Sequence, residues 1–369
     1  MKAFENEMYH LKTAEYLLSD CAFFLCKSKL NIYLSRNFKN TKRISMMAYQ
    51  TWQIEDMGRW SLPRLKMYMV KYFCLFVVLI ALMGCDNGNP SEAEEIDSFN
   101  AQDYVLFEAG NMPLIISVAH GGDKKPEELP DRDCYDAVHV KDAFTIELAL
   151  AIKEEFAELG KKPYLIINDL HRSKLDANRN KIEAACGDSN AIAVWDLFHE
   201  QIQKSRAEVQ SKFQKGLYLD LHGHGNPKQR IELGYLLYED ELSLTDELLN
   251  SQSLIEVSSL QNLANNNLLG LTHVALLKGE FSLGSLFYES GFAAVPSSID
   301  PAPLLSDNYF SGGYNTANYS SYKGGAIDGI QIECNFSGLR DTENHRRAFA
   351  KAFVHSVTTF LESHYFALN

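Results

Sequence analysis

The segment that decides the fold is residues 114–123, which read LIISVAHGGD: an apolar run that leads directly into a histidine and a carboxylate. A short continuous apolar run of this kind predicts a strand that is buried on both faces of a parallel sheet. Further along, apolar residues recur every four positions from Phe144 to Phe156. This spacing predicts an amphipathic helix over 140–159 that stops at Gly160.

The same alternation continues to the end of the chain. Further strands are predicted at 163–167, 217–221 and 330–334, and further helices at 194–213 and 343–362. Strands that alternate with helices of this length indicate one three-layer α/β/α domain with a mostly parallel central sheet. The segment 296–325 breaks the pattern, because it is rich in Pro, Ser, Gly, Asn and aromatic residues. Its aromatic content favours an ordered, substrate-facing loop over a linker.

An apolar segment upstream of the domain resembles an export signal. Residues 72–83 are uninterruptedly apolar and follow basic residues, a combination typical of a secretory signal and too short to span a bilayer comfortably. The residues that follow, LMGC at 82–85, resemble the lipobox of bacterial lipoproteins, in which the cysteine is lipidated and becomes the new N-terminus. A signal-anchor helix or a buried core segment is the alternative interpretation.

We therefore expect a lipoprotein of the bacterial cell envelope that touches the membrane only through a lipid anchor on Cys85. A polar run follows this cysteine and suits a flexible tether. The expected organisation is an upstream extension outside the fold at 1–66, a signal peptide at 67–84, a tether at 85–105 and a folded domain at 106–369. Which membrane holds the anchor is left open.

Composition excludes one class of partner. The whole chain has a net charge of −13, and from residue 85 onward 42 acidic residues oppose 23 basic ones. Nucleic-acid binding depends on Lys and Arg contacts with phosphates, so this balance argues against it. Beyond Cys85 the cysteines are Cys134, Cys186 and Cys334. They form no metal-binding CxxC pattern, and although one disulfide is possible, its partners are not fixed by the sequence.

Each predicted strand ends in residues that carry chemistry. His120 and Asp123 follow the first strand, Asp220, His222 and His224 lie on the third, and Glu333 lies on the fourth. Because the carboxyl ends of parallel strands line one crevice, we expect these side chains to converge. Two histidines and a carboxylate with one open position are the usual composition of a catalytic zinc site. We predict His120, Asp123 and His222 as the zinc ligands.

Other polar residues receive supporting roles. Glu333 is the predicted general base, while Arg172 and Arg179 can hold a substrate carboxylate. A loop tyrosine such as Tyr314 can stabilise the oxyanion. His224 either replaces Asp123 as a ligand or orients another ligand, Asp220 orients a histidine or caps an element, and His171 is a reserve ligand. Taken singly, each of these residues also has a structural explanation, and Arg340 fits a solvated helical face.

Four of these motifs together resemble the N-formylglutamate amidohydrolase family, which is related to aspartoacylases and zinc carboxypeptidases. They are His120-x-x-Asp123, Asp176-x-Asn178-Arg179, Asp220-Leu-His222 and Gln331-Ile-Glu333. The resemblance covers roughly residues 112–360. It implies a phosphorylase/hydrolase-like fold, a zinc ion and Glu333 as the base that activates water. It also implies that Asn178 and Arg179 hold the carboxylate of the substrate.

These observations predict a zinc-dependent hydrolase that cleaves an amide bond next to a carboxylate in a small N-acyl amino acid. Two alternatives remain at this point. One is a carboxypeptidase-like peptidase of the cell envelope, which would need an open groove in place of a closed pocket. The other is an envelope binding lipoprotein that keeps the fold and has lost catalysis.

Overall fold

The computed structural model describes residues 99–366. The predicted signal peptide, Cys85 and the upstream extension lie outside this part of the chain and stay predictions. Between residues 99 and 366, no helix is both long enough and apolar enough to cross a membrane.

A seven-stranded sheet organises the described residues, with the spatial order β1-β3-β2-β4-β7-β5-β6. The strands are β1 (Val105–Glu108), β2 (Leu114–Val118), β3 (Tyr164–Asn168), β4 (Gly216–His224), β5 (Ile231–Gly234), β6 (Ala294–Val295) and β7 (Ile327–Asn335). The central neighbours β3, β2, β4 and β7 run parallel to one another. β1 and β5 pair antiparallel with β3 and β7, whereas β6 is parallel to β5. The predicted mostly parallel α/β sheet is therefore confirmed.

Eleven α-helices accompany the strands between residues 99 and 366. They are α1 (Thr145–Glu158), α2 (Lys181–Ala185), α3 (Ser189–Phe213), α4 (Glu239–Leu242), α5 (Asp246–Leu249), α6 (Gln252–Val257), α7 (Gln261–Asn266), α8 (His273–Lys278), α9 (Leu283–Glu289), α10 (Tyr314–Tyr319) and α11 (Glu343–His364). Side chains fix the starts of the two longest: Asp188 accepts hydrogen bonds from the first turn of α3, and Thr342 does so for α11. Such caps satisfy backbone N–H groups that have no partner within the helix.

Helices cover both faces of the sheet, as the predicted three layers require. Successive residues of a strand point to opposite faces, so Leu114 and Ile116 pack into one core while Ile115 packs into the other. The first core contains the apolar sides of α1 and α11. The second contains the apolar side of α3 together with Tyr218 of β4. This arrangement explains why the central strands carry apolar residues on both faces.

Between residues 99 and 366, three short strands and eight of the eleven α-helices were not predicted. β1, β5 and β6 have two to four residues each, which is too short for periodicity to identify a strand. The aromatic segment 296–325 contains α10 and is held against the sheet edge by polar contacts. Arg230 bonds both Asp300 and Asp307 at 2.7 Å, and the Tyr309 hydroxyl donates to the Leu233 carbonyl at 2.6 Å. The segment is thus ordered, as expected.

Of the three downstream cysteines, Cys134 and Cys186 form a disulfide, with their Cα atoms 5.4 Å apart. The bridge ties the segment before α1 to the end of α2. Cys334 is a free thiol, buried in β7. The sequence alone left this pairing open.

Candidate metal centre

The parallel register of β4 and β7 brings the main polar residues together. His222 lies opposite Glu333, and Asp220 lies opposite Gln331. Along each strand these residues are two apart, so they share one face of the sheet. His120 lies two residues after the end of β2, the neighbour of β4 on its other side. The predicted convergence at the carboxyl ends of the strands therefore occurs for His120, His222 and Glu333.

The carboxylate between the two histidines belongs to Asp142. The chain returns to the sheet edge before α1, where the Asp142 backbone N–H donates to the His120 carbonyl at 3.0 Å. The side chain accepts a hydrogen bond from the Gly223 backbone N–H at 3.1 Å. Its Oδ2 atom lies 3.1 Å from His222 Nδ1 and 3.6 Å from His120 Nδ1. One ligand atom from each of the three residues lies within 4.8 Å of the others, close enough to share a metal ion.

Each histidine of this cluster is held from behind by a second carboxylate. His120 Nε2 lies 2.6 Å from Asp176 Oδ1, and His222 Nε2 lies 2.8 Å from Asp220 Oδ2. A carboxylate is an acceptor, so it holds an imidazole proton on Nε2 and leaves Nδ1 as the ring atom that could bind a metal at the centre. This pairing is the usual surrounding of a metal-bound histidine in proteins. It also gives Asp176 a role that was not among the predicted ones.

The outer carboxylates are themselves buried and hydrogen-bonded. Asp220 accepts from Ser117 Oγ at 2.5 Å and from Asn315 Nδ2 at 3.4 Å. Asp176 accepts from Arg172, through Nε and Nη2, each at 3.0 Å. These partners hold the carboxylates, and through them the two imidazoles, in one orientation.

The charges of the cluster favour a cation. Burial would raise the pKa of Asp142, but His120 and His222 hold it well below the usual range. Burial would lower the pKa of His222, but Asp220 and Asp142 raise it well above the ordinary value. Asp142, Asp176 and Asp220 thus carry negative charge at neutral pH in a buried space. A metal ion that displaces the His222 proton would compensate that charge, because metal-binding imidazoles must be neutral.

Glu333 lies at the rim of this cluster with the properties expected of a general base. It is buried and accepts a hydrogen bond from Gln331 Nε2 at 2.9 Å. Burial raises the pKa of Glu333 to about 7. The negative charge of Asp142 adds to this increase, whereas the imidazole of His222 opposes it. A carboxyl group with a pKa near neutrality can both accept and return a proton at physiological pH.

Asp123, predicted as the third ligand, occupies a different position. Its side chain is 74% exposed and forms an ion pair with Lys141. Gly121 explains the path of the chain: a Cβ atom there would lie only 2.5 Å from Thr145 Oγ1. The close approach sets the start of α1 against the Gly-Gly turn and directs Asp142, in place of Asp123, into the cluster. The predicted ligand set is corrected accordingly to His120, Asp142 and His222.

The predicted substrate-binding residues fall into two groups. Arg172 and Asn178 are at the centre: Arg172 pairs with Asp176, and Asn178 Nδ2 lies 3.2 Å from His222 Nε2. Arg179 is exposed and makes no ion pair within residues 99–366. Tyr314 packs its ring against Trp195, with the ring centroids 6.3 Å apart, and is not part of the group of residues that could hold a metal.

His224 and His171, which were predicted as alternative ligands, form hydrogen bonds with backbone groups instead. His224 donates through Nε2 to the Arg230 carbonyl at 2.9 Å and accepts through Nδ1 from the Asn226 N–H at 3.1 Å. Both of its ring nitrogens are therefore occupied. His171 bonds Ser173 and is not part of the metal cluster. Asp220 has the orienting role that was one of its predicted alternatives.

Arg340, which fitted a solvated helical face, is buried below the metal centre. Its guanidinium donates to the carbonyls of Cys334, at 3.1 Å, and His224, at 2.9 Å, and also to that of Ala143. It joins the ends of β4 and β7 to the residue that follows Asp142. Its position in sequence, just before a helix of mixed polarity, gave no signal of this role.

Comparison with known proteins adds the following. No family model and no curated protein matches the chain. Among solved structures, it is similar to the gene product Atu2144 from Agrobacterium tumefaciens (14% identity, TM-score 0.42, 70% of this chain and 94% of that one). It is also similar to N-formylglutamate amidohydrolase from Ralstonia eutropha JMP134 (12% identity, TM-score 0.41, 70% and 97%). A third is the N-acetylmuramyl-L-alanine amidase Ami1 from Mycobacterium smegmatis (14% identity, TM-score 0.32, 68% and 97%).

Proposed function

We propose that this chain is a metal-dependent hydrolase that cleaves an amide bond next to a carboxylate. The observation that carries the proposal is the pair of imidazoles whose Nδ1 atoms face Asp142 while their Nε2 atoms are held by Asp176 and Asp220. A purely structural histidine pair does not require both Nδ1 atoms to face one buried carboxylate while two further buried carboxylates hold both Nε2 atoms. The second support is Glu333, which lies beside this point.

We propose zinc as the metal. Two histidines and one carboxylate are an established ligand set for catalytic zinc, in which the fourth position stays open. The residues fit such an ion, because His120, Asp142 and His222 each offer one ligand atom within 4.8 Å of the others. When bound there, zinc would polarise the scissile carbonyl and lower the pKa of water toward neutrality.

The side chains around the site would divide the remaining work. Glu333 would take a proton from the attacking water and return it to the leaving nitrogen, for which a pKa of about 7 is suited. Arg179 has an exposed guanidinium that can bind the substrate carboxylate through two parallel hydrogen bonds. The guanidinium of Arg172 already pairs with Asp176, so we assign Arg172 the role of positioning the Asp176 carboxylate.

A peptidase and a non-catalytic binding protein are the alternatives. Retention of Glu333 together with both histidines favours an enzyme, since a binder has no need for a buried base beside a metal site. We further propose that the enzyme is lipid-anchored in the cell envelope, which is supported by the apolar run at 72–83 and by Cys85.

The experiment that tests the proposal compares the zinc-loaded protein with its Glu333→Gln variant on a panel of N-acyl amino acids and dipeptides. We expect hydrolysis by the wild type, and a loss of roughly 100-fold or more in the variant, because general-base catalysis contributes about 10²–10⁴-fold. The matched control is Asp123→Asn, which should keep its activity. Equal turnover by the wild type and Glu333→Gln would refute the role of Glu333. A zinc-loaded wild type without activity on any substrate would favour the binding protein.

A further inference from the structure

A groove of about 330 Å³ opens on the surface between α3 and α10, apart from the metal-binding residues. α3 contributes Trp195, Asp196, Glu200 and Gln203 to its walls, and α10 contributes residues that include Tyr314. The volume is at the lower end of the range for small-ligand sites, about 300–1,000 Å³. No role in the proposed hydrolysis accounts for this groove.

The aromatic walls of the groove are held in place by the protein itself. Trp195 donates from Nε1 to the Arg179 carbonyl at 3.0 Å, and its ring centroid lies 3.8 Å from that of His199. His199 Nδ1 lies 2.5 Å from the Tyr319 hydroxyl at the base of the groove. Tyr314 meets His199 edge to face at 5.8 Å. Rings that are fixed before a ligand arrives lose little conformational entropy when it binds.

The charges of the groove argue against an ionic ligand. Neither Lys nor Arg lines it, and the Lys181 ammonium, 5.0 Å from the Trp195 ring centroid, is already ion-paired with Asp196, so a phosphate or a carboxylate would have to compete with Asp196 for that cation. Its two carboxylates are already neutralised from outside, Asp196 by Lys181 at 2.5 Å and Glu200 by Lys204 at 2.9 Å. A cationic ligand would have to displace these lysines. What remains is an uncharged ligand.

The side chains that line the groove indicate which class of uncharged ligand it fits. They are aromatic, carboxylate or amide groups, with no aliphatic residue among them. Aromatic faces pack against C–H groups, while carboxylates and the amides of Gln203 and Asn318 bond hydroxyls. A neutral saccharide presents both kinds of group on one small molecule. We propose that this groove binds a short neutral saccharide.

The saccharide site would lie beside the metal centre without being part of it. Tyr314 is followed by Asn315, whose backbone N–H donates to Asn178 Oδ1 at 2.8 Å. Gly313 allows this contact, because a Cβ atom there would lie 2.5 Å from Asn178 Nδ2. The proposal does not depend on the hydrolase, so it can be tested on the protein without metal.

The test titrates the full chain with cellobiose, maltose and N,N′-diacetylchitobiose, followed by calorimetry and by saturation-transfer NMR, with a metal chelator present. We expect at least one disaccharide to bind, and Trp195→Ala to weaken that binding at least tenfold. Trp195→Phe keeps an aromatic face and should retain most of the affinity. The control is Tyr322→Ala, which removes an exposed tyrosine of the same segment outside the groove.

Two results would overturn the proposal. One is the absence of binding by all three disaccharides. The other is binding that is unchanged in both Trp195→Ala and Gln203→Ala, which would place the saccharide elsewhere. Gln203 is exposed on α3, so its variant serves even if replacing Trp195 prevents folding. Failure of the hydrolase proposal would leave these titrations unchanged.

Discussion

At the scale of single residues, the candidate metal centre depends on which carboxylate lies next to His120. Asp123 is only three positions away in sequence, but its side chain faces solvent and Lys141. Asp142 is distant in sequence and reaches the centre because its backbone bonds His120 and its carboxylate bonds Gly223. Spacing along the sequence shows that Asp123 is close to His120, but it does not show that backbone contacts bring Asp142 to the same place.

A residue-scale prediction concerns His199, which is buried and is not one of the three candidate metal ligands. Burial lowers the pKa of His199 to about 3. Between that value and about 6.5, the ordinary histidine pKa, the unfolded chain binds a proton that the folded chain does not, so stability falls as the pH decreases below 6.5. Between pH 7 and pH 5 this effect amounts to about 2 kcal/mol.

Urea unfolding of the wild type and His199→Phe at both pH values checks this prediction. The variant should lose about 2 kcal/mol less stability than the wild type on going to pH 5. Subtracting the change in unfolding free energy of the variant from that of the wild type removes the contribution of the titratable groups that the two proteins share. An identical loss in both proteins would show that His199 is protonated in the folded state.

Residue types at strand ends were the informative part of the sequence. His120 follows an apolar strand, and His222 and Glu333 lie near the carboxyl ends of largely apolar strands, where the parallel register places the last two opposite each other. Asp142 and Arg340 lie outside any such run, and long-range backbone contacts position them. No local pattern encodes those contacts, so the sequence predicted that His120, His222 and Glu333 come together but did not predict Asp142 between the histidines.

At the scale of elements, the disulfide joins two segments that both supply the centre. Cys134 belongs to the segment that leads to Asp142, and Cys186 ends α2, which follows Asp176 and Asn178. Arg132, beside Cys134, donates to the Arg172 carbonyl at 2.9 Å. The bridge therefore holds together two loops that have little regular secondary structure.

Removing the bridge with Cys134→Ala and Cys186→Ala should lower the free energy of unfolding. The cysteines are 52 positions apart, and a cross-link that closes a loop of this size typically stabilises by about 2–4 kcal/mol. Chemical denaturation with and without dithiothreitol measures the effect. Reductant should destabilise the wild type and leave the double variant unchanged. A wild type that is insensitive to reductant would contradict the assigned bridge.

At the scale of the whole molecule, the architecture follows from the apolar strands and amphipathic helices that can be recognised in the sequence. The central strands are apolar on both faces because helices cover both faces, and α1, α3 and α11 each present one apolar side. The edge of the sheet was less predictable. β5 and β6 are too short to show a period, and they are held by contacts such as Arg230 with Asp300.

The predicted signal peptide and lipobox give a prediction about the location of the whole chain. If residues 82–85 act as a lipobox, the mature protein begins at Cys85 and carries a lipid. Metabolic labelling with a palmitate analogue in a bacterial host should label the wild type and not Cys85→Ala. Mass spectrometry of the mature N-terminus would contradict this if peptides from residues 1–66 remained attached.

The measurement that tests the account most directly is the zinc content of the purified wild type, Asp142→Ala and Asp123→Ala, determined by elemental mass spectrometry. Circular dichroism of each protein serves as the check on folding. We predict stoichiometric zinc in the wild type and in Asp123→Ala, and its loss in Asp142→Ala. A wild type that binds no metal would contradict the account, and so would an Asp142→Ala variant that keeps its zinc while Asp123→Ala loses it.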